Sequence, residues 1–269
     1  MGRMPHQDAS EDLWLIRSQV LYAVRRLTHP SELDRLDRSS RWRASQAIRS
    51  VHSAKLTIAG MRQLRHLAWA LETVRREGIP GTYIEAGVAL GGTAALISRL
   101  RTPGRRLDLY DVFSVIPPPG PADGNDAHRR YEVIKSGQAT GIDGGEYYGY
   151  RKNLIDVVKA NLRNYGAYHD PIIFHEGLFE DTMHVEEPIA FAHIDCDWHD
   201  PVALCLKRIF PLLAPGGIIV LDDYNSYSGC RKAVDDFLGR TPMAERLFEE
   251  QSISLRKKLS MNNINCFTH

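Results

Sequence analysis

At 269 residues, with a hydrophobic fraction of 43% and a charged fraction of 25%, the chain is long and apolar enough for one large α/β domain with an additional layer. A formal net charge of +1 excludes a global field that recruits nucleic acid or an anionic membrane. The four cysteines form no CxxC pair, which argues against a zinc site or a disulfide framework, and no apolar run approaches membrane-spanning length. Because the first residues also lack the apolar stretch of a signal peptide, we expect a reduced, cytoplasmic protein.

Residues 1–80 carry helical patterns. Apolar residues recur at helical spacing from Leu13 to Leu27, and a second, longer pattern runs from Ser53 to Arg76. We expect this region to form an N-terminal helical layer that covers a sheet or makes a dimer contact, rather than an independent domain.

From residue 81 to residue 269, strands and helices alternate as they do in a parallel α/β sheet. The apolar runs predict strands at about 82–88, 106–112, 171–176, 189–195 and 217–222. The intervening helices are predicted at Thr93–Leu100, Tyr150–Tyr165, Pro201–Leu213 and Ser228–Leu238. Two weaker strands are predicted near the end, at Ile253–Leu255 and Ile264–Phe267. The fold class is therefore α/β, with a doubly wound, mostly parallel, Rossmann-like sheet.

One long connection, residues 114–150, interrupts this alternation after the second strand. Long connections in compact domains are usually functional, so we expect a lid over the ligand-binding edge, the alternative being a surface loop without chemistry. Its aromatic residues Tyr147, Tyr148 and Tyr150 suit either packing within the lid or stacking on a ligand.

Carboxylates follow two neighbouring strands of the predicted sheet. Asp195 and Asp197 end the fourth strand, and Asp222 and Asp223 end the fifth. Joined by a right-handed crossover, the two strands bring these groups to one edge, where open α/β sheets bind ligands. Crowded carboxylates repel one another unless a cation lies among them, so the pattern predicts a hard divalent metal. The structural alternatives are that Asp222 and Asp223 cap a helix and that His193 is a hydrogen-bonded core histidine.

A glycine turn follows the first strand. Glu85 stands near the strand end, and Gly87 and Gly91 follow in the turn that leads to the next helix. This turn lacks the spacing of a dinucleotide loop and the lysine of a Walker motif, so NAD and ATP fit poorly. An adenosyl ligand with a cationic amino acid part and no phosphate fits better, with Asp111 at the end of the second strand accepting both ribose hydroxyls.

Several segments together resemble the macrocin and mycinamicin sugar O-methyltransferases. The resemblance covers residues 53–238 and rests on these segments: Gly78–Gly81 leading into Glu85–Val88 and Gly91–Gly92, Glu176–Phe179, Asp195–Asp197, Ala214–Gly217 through Asp222–Tyr224, and Gly229–Phe237. It implies a class I methyltransferase fold, S-adenosyl-L-methionine (SAM) and Mg²⁺ as cofactors, and methylation of deoxysugar hydroxyls in antibiotic pathways. It also implies a small-molecule, sugar-bearing substrate and a homo-oligomer.

The resemblance also assigns residues. It implies Asp195, Asp222 and Asp223 as metal ligands and Asp197 as the general base. Its cofactor positions are Thr57, Glu85, Ala86, Gly87, Gly91, Thr93, Asp111, Gly177, Phe179 and Asp195, with Gly177 and Phe179 near the adenine. His199 departs from the family, which usually has tyrosine there, so His199 is our second candidate for the base.

Three functions stay open at this point. A magnesium-dependent sugar O-methyltransferase is the first prediction. A catechol-type phenol O-methyltransferase is the second, because adjacent phenol oxygens would also chelate a metal. The third is a non-catalytic adenosyl-binding scaffold, which the crowded carboxylates disfavour. The residues do not name the acceptor, the hydroxyl, or whether the sugar is free, nucleotide-linked or attached to an aglycone.

Overall fold

The computed structural model describes residues 32–168 and 171–259. A 3₁₀ turn at Glu32–Arg35 precedes helix α1 (Arg38–Ser53), and helix α2 spans Met61–Arg76. Asp37 caps α1, because its carboxylate accepts hydrogen bonds from the backbone N–H groups of Ser39 and Ser40. The predicted helix from Leu13 to Leu27 lies outside the described residues.

The prediction of one helical pattern from Ser53 to Arg76 is wrong over its first third. Residues 54–60 form a turn and an extended stretch between α1 and α2. Lys55 takes a left-handed φ of 54°, and Gln63 accepts a hydrogen bond from the backbone of Gly60 to start α2 afresh. Leu56 and Ile58, which extend the helical periodicity, line a cavity instead of the helix interface.

The sheet has seven strands in the order β3-β2-β1-β4-β5-β7-β6. Strands β1 to β5 are mutually parallel, and β7 runs antiparallel to β5 and β6. The strand bounds are Thr82–Ala86, Leu107–Asp111, Ile172–Glu176, Ile189–Ile194, Leu213–Leu221, Ala244–Glu249 and Ile253–Lys257 for β1 to β7. The chain adds β2 and β3 on one side of β1 and then returns to add β4 and β5 on the other side. The strand order therefore reverses between β1 and β4, and this switch point is where such sheets bind ligands. The predicted α/β, mostly parallel class is confirmed.

Helices cover both faces of the sheet. Their bounds are Gly92–Leu100 (α3), Asn125–Lys135 (α4), Leu154–Asn164 (α5), Phe179–Thr182 (α6), His199–Ile209 (α7) and Ser228–Arg240 (α8). Successive residues of β1 point to opposite faces, so Tyr83 packs with α1, α2 and α3 while Ile84 packs with α7 and α8. Two apolar cores result, one on each side of the sheet.

The elements around β5 differ from the prediction of a helix over Pro201–Leu213. Helix α7 begins two residues earlier, at His199, and ends at Ile209 before a 3₁₀ turn. Strand β5 begins at Leu213, so Ala214–Gly217 lies within the strand rather than in a loop. The first N–H of α7 is capped by Asp123, whose Oδ1 accepts from the backbone of His199 at 2.7 Å.

The 114–150 segment contains helix α4 and two 3₁₀ turns, Ile142–Gly144 and Tyr148–Tyr150. The next helix, α5, starts at Leu154 instead of Tyr150 because the 3₁₀ turn and the left-handed Asn153 precede it. At the end of the chain β7 contains the predicted strand, whereas the predicted strand Ile264–Phe267 lies outside the described residues. Among the described helices, none combines the length and apolarity that crossing a membrane requires.

Candidate active site at the carboxyl edge of the sheet

A cavity of about 640 Å³ opens at the carboxyl ends of β1, β2, β4 and β5. Its volume lies within the range of small-molecule sites. Its walls come from the turn after β1, the 54–63 stretch before and within α2, the 114–150 segment, and the residues that follow β4 and β5. The single switch point of the sheet therefore coincides with the cavity.

The turn after β1 approaches the end of β4 so closely that only glycine fits at Gly87. Gly87 has a φ of 90°, and a Cβ there would lie 1.7 Å from the backbone oxygen of Asp195. The backbone N–H of Asp195 donates to Ala86 at 2.8 Å, which ties the two strand ends together. Gly87 and Asp195 both line the cavity.

Asp111 organises the same turn from the end of β2. Its Oδ2 accepts from the backbone N–H groups of Val88 and Ala89 at 2.6 and 3.2 Å, and its Oδ1 accepts from Phe113 at 2.7 Å. Burial raises the pKa of the Asp111 carboxyl, against the effect of these backbone hydrogen bonds. A ribose contact at Asp111, which the sequence predicts, would be additional to these three bonds.

Glu85 is fully buried and faces the neighbouring strand instead of the cavity. Its Oε1 lies 3.0 Å from Nδ1 of His193, the residue opposite it in β4. Nε2 of His193 lies 3.9 Å from Oδ1 of Asp222. Burial opposes protonation of His193, but the carboxylates of Asp222 and Glu85 outweigh it and raise the pKa to about 10. His193 therefore lies between the carboxylates of Glu85 and Asp222.

Three carboxylates meet at the floor of the cavity. One oxygen from each of Asp195, Asp197 and Asp223 lies within 4.8 Å of the others. Burial, followed by the charges of neighbouring acids, raises the pKa of Asp195 and Asp223 well above the ordinary value. Oδ2 of Asp223 is buried without a hydrogen-bond partner. This arrangement suits a hard cation, because orphaned carboxylate oxygens are the ligands such ions take.

Asp222, the remaining predicted ligand, lines the same cavity and accepts a hydrogen bond from helix α2. Its Oδ2 accepts a hydrogen bond of 2.6 Å from Nε2 of Gln63 in the first turn of α2. No sequence pattern singled out Gln63, because the periodicity of Ser53 to Arg76 assigned it to the middle of a helix.

His199, the second candidate base, is turned away from the cavity. Its Nδ1 lies 2.7 Å from Oδ1 of Asp200, and it is not among the cavity-lining residues. The preceding Trp198 lines the cavity in its place, and its Nε1 donates to the backbone oxygen of Pro117 at 2.9 Å. The sequence did not single out Trp198.

The predicted cofactor positions divide into two groups. Those that line the cavity are Thr57, Gly87, Thr93, Asp111, Phe179 and Asp195. Those that do not are Glu85, Ala86, Gly91 and Gly177. Gly91 is a packing glycine, since a Cβ there would lie 2.9 Å from Val158 Cγ1.

Aromatic rings also line the cavity, beside the carboxylates. Trp198 and Tyr227 meet edge to face at 5.1 Å, and Tyr147 and Tyr148 lie 4.4 Å apart. All four line the cavity, whereas the Tyr150 hydroxyl donates to a backbone oxygen within the 114–150 segment. Apolar ring faces beside carboxylates suit a ligand that has both a hydrophobic face and hydroxyl groups.

The model of one protein family, Macrocin-O-methyltransferase (TylF), matches residues 6–253 of the chain. A curated relative from Streptomyces olivaceus, 8-demethyl-8-(2,3-dimethoxy-alpha-L-rhamnosyl)-tetracenomycin-C 4'-O-methyltransferase, is 30% identical over 72% of this chain and 71% of its own. Mycinamicin III 3''-O-methyltransferase from Micromonospora griseorubida is 26% identical over 72% of this chain and 74% of its own. The solved structure of the O-methyltransferase NovP superposes with a TM-score of 0.68 at 18% identity, covering 82% of this chain and 100% of that one.

Proposed function

The chain belongs to the macrocin-O-methyltransferase family and is a SAM-dependent O-methyltransferase, and we propose that it methylates a sugar hydroxyl of a natural product or its precursor with the help of Mg²⁺. One curated relative is named for 4'-O-methylation of a rhamnosyl-bearing tetracenomycin, which supports the sugar acceptor, and another is named for 3''-O-methylation of mycinamicin III. The observation that carries the magnesium requirement is the cluster of Asp195, Asp197 and Asp223 with its orphaned oxygen.

On the family resemblance we assign the proposed ion to Asp195, Asp222 and Asp223, of which Asp195 and Asp223 belong to the cluster and Asp222 lines the same cavity. When bound, it would supply positive charge beside the acceptor and so favour ionisation of an alcohol. Asp222 differs from the other two because Gln63 already holds one of its oxygens. Asp197 is close enough to Asp195 and Asp223 to bind the same ion. Metal binding is therefore also measured in a variant that lacks the Asp197 carboxylate.

We assign proton removal to Asp197. It follows β4 in a left-handed conformation with φ of 60°, which is unusual for a residue with a side chain. Burial raises the pKa of its carboxyl, whereas Arg130 on α4 acts in the opposite direction. A carboxylate of raised pKa is a stronger base than an exposed one, and proton transfer from the acceptor is thereby favoured.

For the methyl donor we propose the end of the cavity formed by the turn after β1. Thr57, Gly87, Thr93 and Phe179 line the cavity, as does Asp195 of the acidic cluster. The negative charge of the cluster favours a sulfonium cation nearby. Glu85, Ala86, Gly91 and Gly177 would support this turn without touching the ligand.

We propose that the 114–150 segment is the lid and the acceptor wall. It contributes Ile116, Arg130, Tyr147 and Tyr148 to the cavity, and α4 is anchored through Asp126. The lid would exclude water and hold acceptor oxygen, methyl and sulfur in line, which supplies most of the catalysis expected in such a transfer.

The experiment is methyl transfer from labelled SAM to a panel of acceptors, run with Mg²⁺ and with excess chelator. The panel holds a glycosylated polyketide with an unmethylated deoxysugar, the free sugar, a nucleotide-linked sugar and a catechol. We expect magnesium-stimulated labelling of a sugar hydroxyl. Labelling of the catechol alone, or full activity in chelator, would contradict the proposal.

A matched pair of variants separates the two roles. Asp197→Asn should lose turnover and retain Mg²⁺ binding in calorimetry, and Asp195→Asn should lose Mg²⁺ binding. If Asp197→Asn loses Mg²⁺ binding to the same extent, Asp197 is a ligand and the assignment of the base is wrong.

A further inference from the structure

Gln63 of helix α2 contacts Asp222, which directly follows strand β5. It lies in the first turn of α2, where its Oε1 accepts from the backbone N–H of Gly60 at 2.8 Å and its Nε2 donates to Asp222 Oδ2 at 2.6 Å. The Gly60 N–H can be satisfied only by the oxygen of the amide, so the orientation of the amide is fixed and its NH₂ group faces Asp222. The two residues are 159 positions apart in the chain.

The stretch that presents Gln63 is itself held against the turn after β1. A Cβ at Gly92 would lie 2.5 Å from the backbone oxygen of Leu56 and 2.8 Å from the Cβ of Thr57, so the two backbones meet in direct contact. Thr57 Oγ1 accepts from the backbone of Ala59 at 3.0 Å, which shapes the turn before α2. Gln63 therefore reaches Asp222 from a defined position on a 16-residue helix.

The chemistry of this contact differs from that of an ion pair. An amide donor orients a carboxylate through a hydrogen bond and leaves its negative charge in place, whereas a lysine or arginine would neutralise it. Asp222 is 6% exposed, and its second oxygen lies 3.9 Å from Nε2 of His193, beyond hydrogen-bond distance. The bond from Gln63 therefore holds the carboxylate of a residue that lines the cavity.

We propose that Gln63 is a positioning residue of the methyl transfer, which orients the carboxylate of Asp222 at the magnesium site. This inference rests on the proposed function, because it needs Asp222 to serve the ion. Partners that hydrogen-bond metal-ligating carboxylates typically change metal affinity by 10- to 100-fold when they are removed. A role confined to starting α2 would leave metal affinity unchanged.

The test is calorimetric titration of Mg²⁺ into wild type, Gln63→Met and Gln46→Met, each saturated with S-adenosylhomocysteine. Methionine keeps the length and helix propensity of glutamine and removes both hydrogen bonds. Gln46 is an exposed residue of α1, so Gln46→Met applies the same chemical change away from the site. We expect the Mg²⁺ dissociation constant of Gln63→Met to rise by about 10- to 100-fold. The S-adenosylhomocysteine affinity should change by less than about threefold, which also reports that the variant is folded.

Steady-state kinetics adds a second measurement. The concentration of Mg²⁺ needed for half-maximal rate should rise in Gln63→Met, and kcat at saturating Mg²⁺ should return to near the wild-type value. Equal Mg²⁺ affinity in Gln63→Met and wild type would overturn the inference and leave the proposed function standing. Absence of Mg²⁺ binding in wild type would instead overturn the proposed function, and with it this inference.

Discussion

Stability should fall below neutral pH because His66 is buried in its neutral form. His66 lies on α2 and is 2% exposed, with Nδ1 2.7 Å from the Ser252 hydroxyl and its ring 4.8 Å from that of Phe248. Nε2 has no hydrogen-bond partner. Burial, with a smaller contribution from the charge of His193, lowers the pKa of His66 from 6.5 to about 3.

The sign and the size of the effect follow from proton linkage. The unfolded chain protonates this imidazole below about pH 6.5, whereas the folded protein leaves it neutral down to about pH 3. The contribution of neutral His66 is therefore complete above pH 7.5 and is lost progressively as the pH falls through the unfolded value. Between pH 8 and pH 5 this loss amounts to about 2 kcal/mol of unfolding free energy.

Urea unfolding at pH 8 and pH 5 measures the effect. Other groups titrate over the same interval, so the informative quantity is the difference between wild type and His66→Phe. The variant should lose about 2 kcal/mol less than wild type between the two pH values. The matched substitution His128→Phe, at an exposed position of α4, should behave as wild type does. Parallel losses in wild type and His66→Phe would refute the reasoning.

Two further substitutions probe the walls of the cavity. Gly87→Ala should destabilise the protein by at least about 3 kcal/mol in thermal or urea unfolding, because its Cβ would overlap the backbone of Asp195. The control Gly104→Ala, with φ of 75° and open space around it, should destabilise the protein by only about 1 kcal/mol. Equal losses of stability in the two variants would contradict this prediction. Asp126→Ala removes the acceptor for the backbone N–H and hydroxyl of Ser228, at 2.7 and 2.8 Å, so hydrogen exchange in the 114–150 segment should accelerate and the acceptor KM should rise. Glu132→Ala, on the exposed face of the same helix, serves as the control, and equal exchange in the two variants would show that Asp126 does not anchor the segment.

The parallel sheet could be predicted because four of its five parallel strands, β1, β2, β4 and β5, are almost wholly buried. Continuous apolar runs such as Ile189–Ala192 are typical of such strands, and all five predicted positions are occupied by strands. Strand β6 went unpredicted because Ala244–Glu249 is the outermost strand, and four of its six residues are charged or small. An outer strand needs no continuous apolar run, since one side of it has no strand partner.

Periodicity failed where apolar residues serve the cavity instead of the core. Leu56 and Ile58 continue the spacing of α2, yet they belong to the turn that crosses the loop after β1. A hydrophobic pattern predicts which residues are shielded from water. It does not predict whether those residues contact a helix, a sheet or a ligand. The domain division at residue 80, the homo-oligomer and the cytoplasmic location remain predictions.

The aspartates at the strand ends could be predicted, but their partners could not. Strand order fixes where Asp195 and Asp223 emerge, because parallel strands end at one edge. Gln63 and Asp123 reach the same region from segments far away in the chain, through single hydrogen bonds that leave no local pattern. Glu85 shows the converse, because a carboxylate at a strand end can face the neighbouring strand as well as a ligand.

The carboxylates of the cavity differ in their hydrogen-bond partners. Asp111 accepts hydrogen bonds from three backbone N–H groups, and one oxygen of Asp222 accepts a hydrogen bond from Gln63. Asp195, Asp197 and Asp223 lie close to one another, and burial with the charges of neighbouring acids raises their pKa values. Keeping the three carboxylates ionised in the folded protein therefore costs free energy. The magnesium ion proposed above would offset this cost, since a cation that binds the folded state alone adds stability by mass action. The hydrogen bonds of Asp111 therefore hold the turn after β1 in place, whereas the close approach of Asp195, Asp197 and Asp223 is the feature that supports the proposed ion.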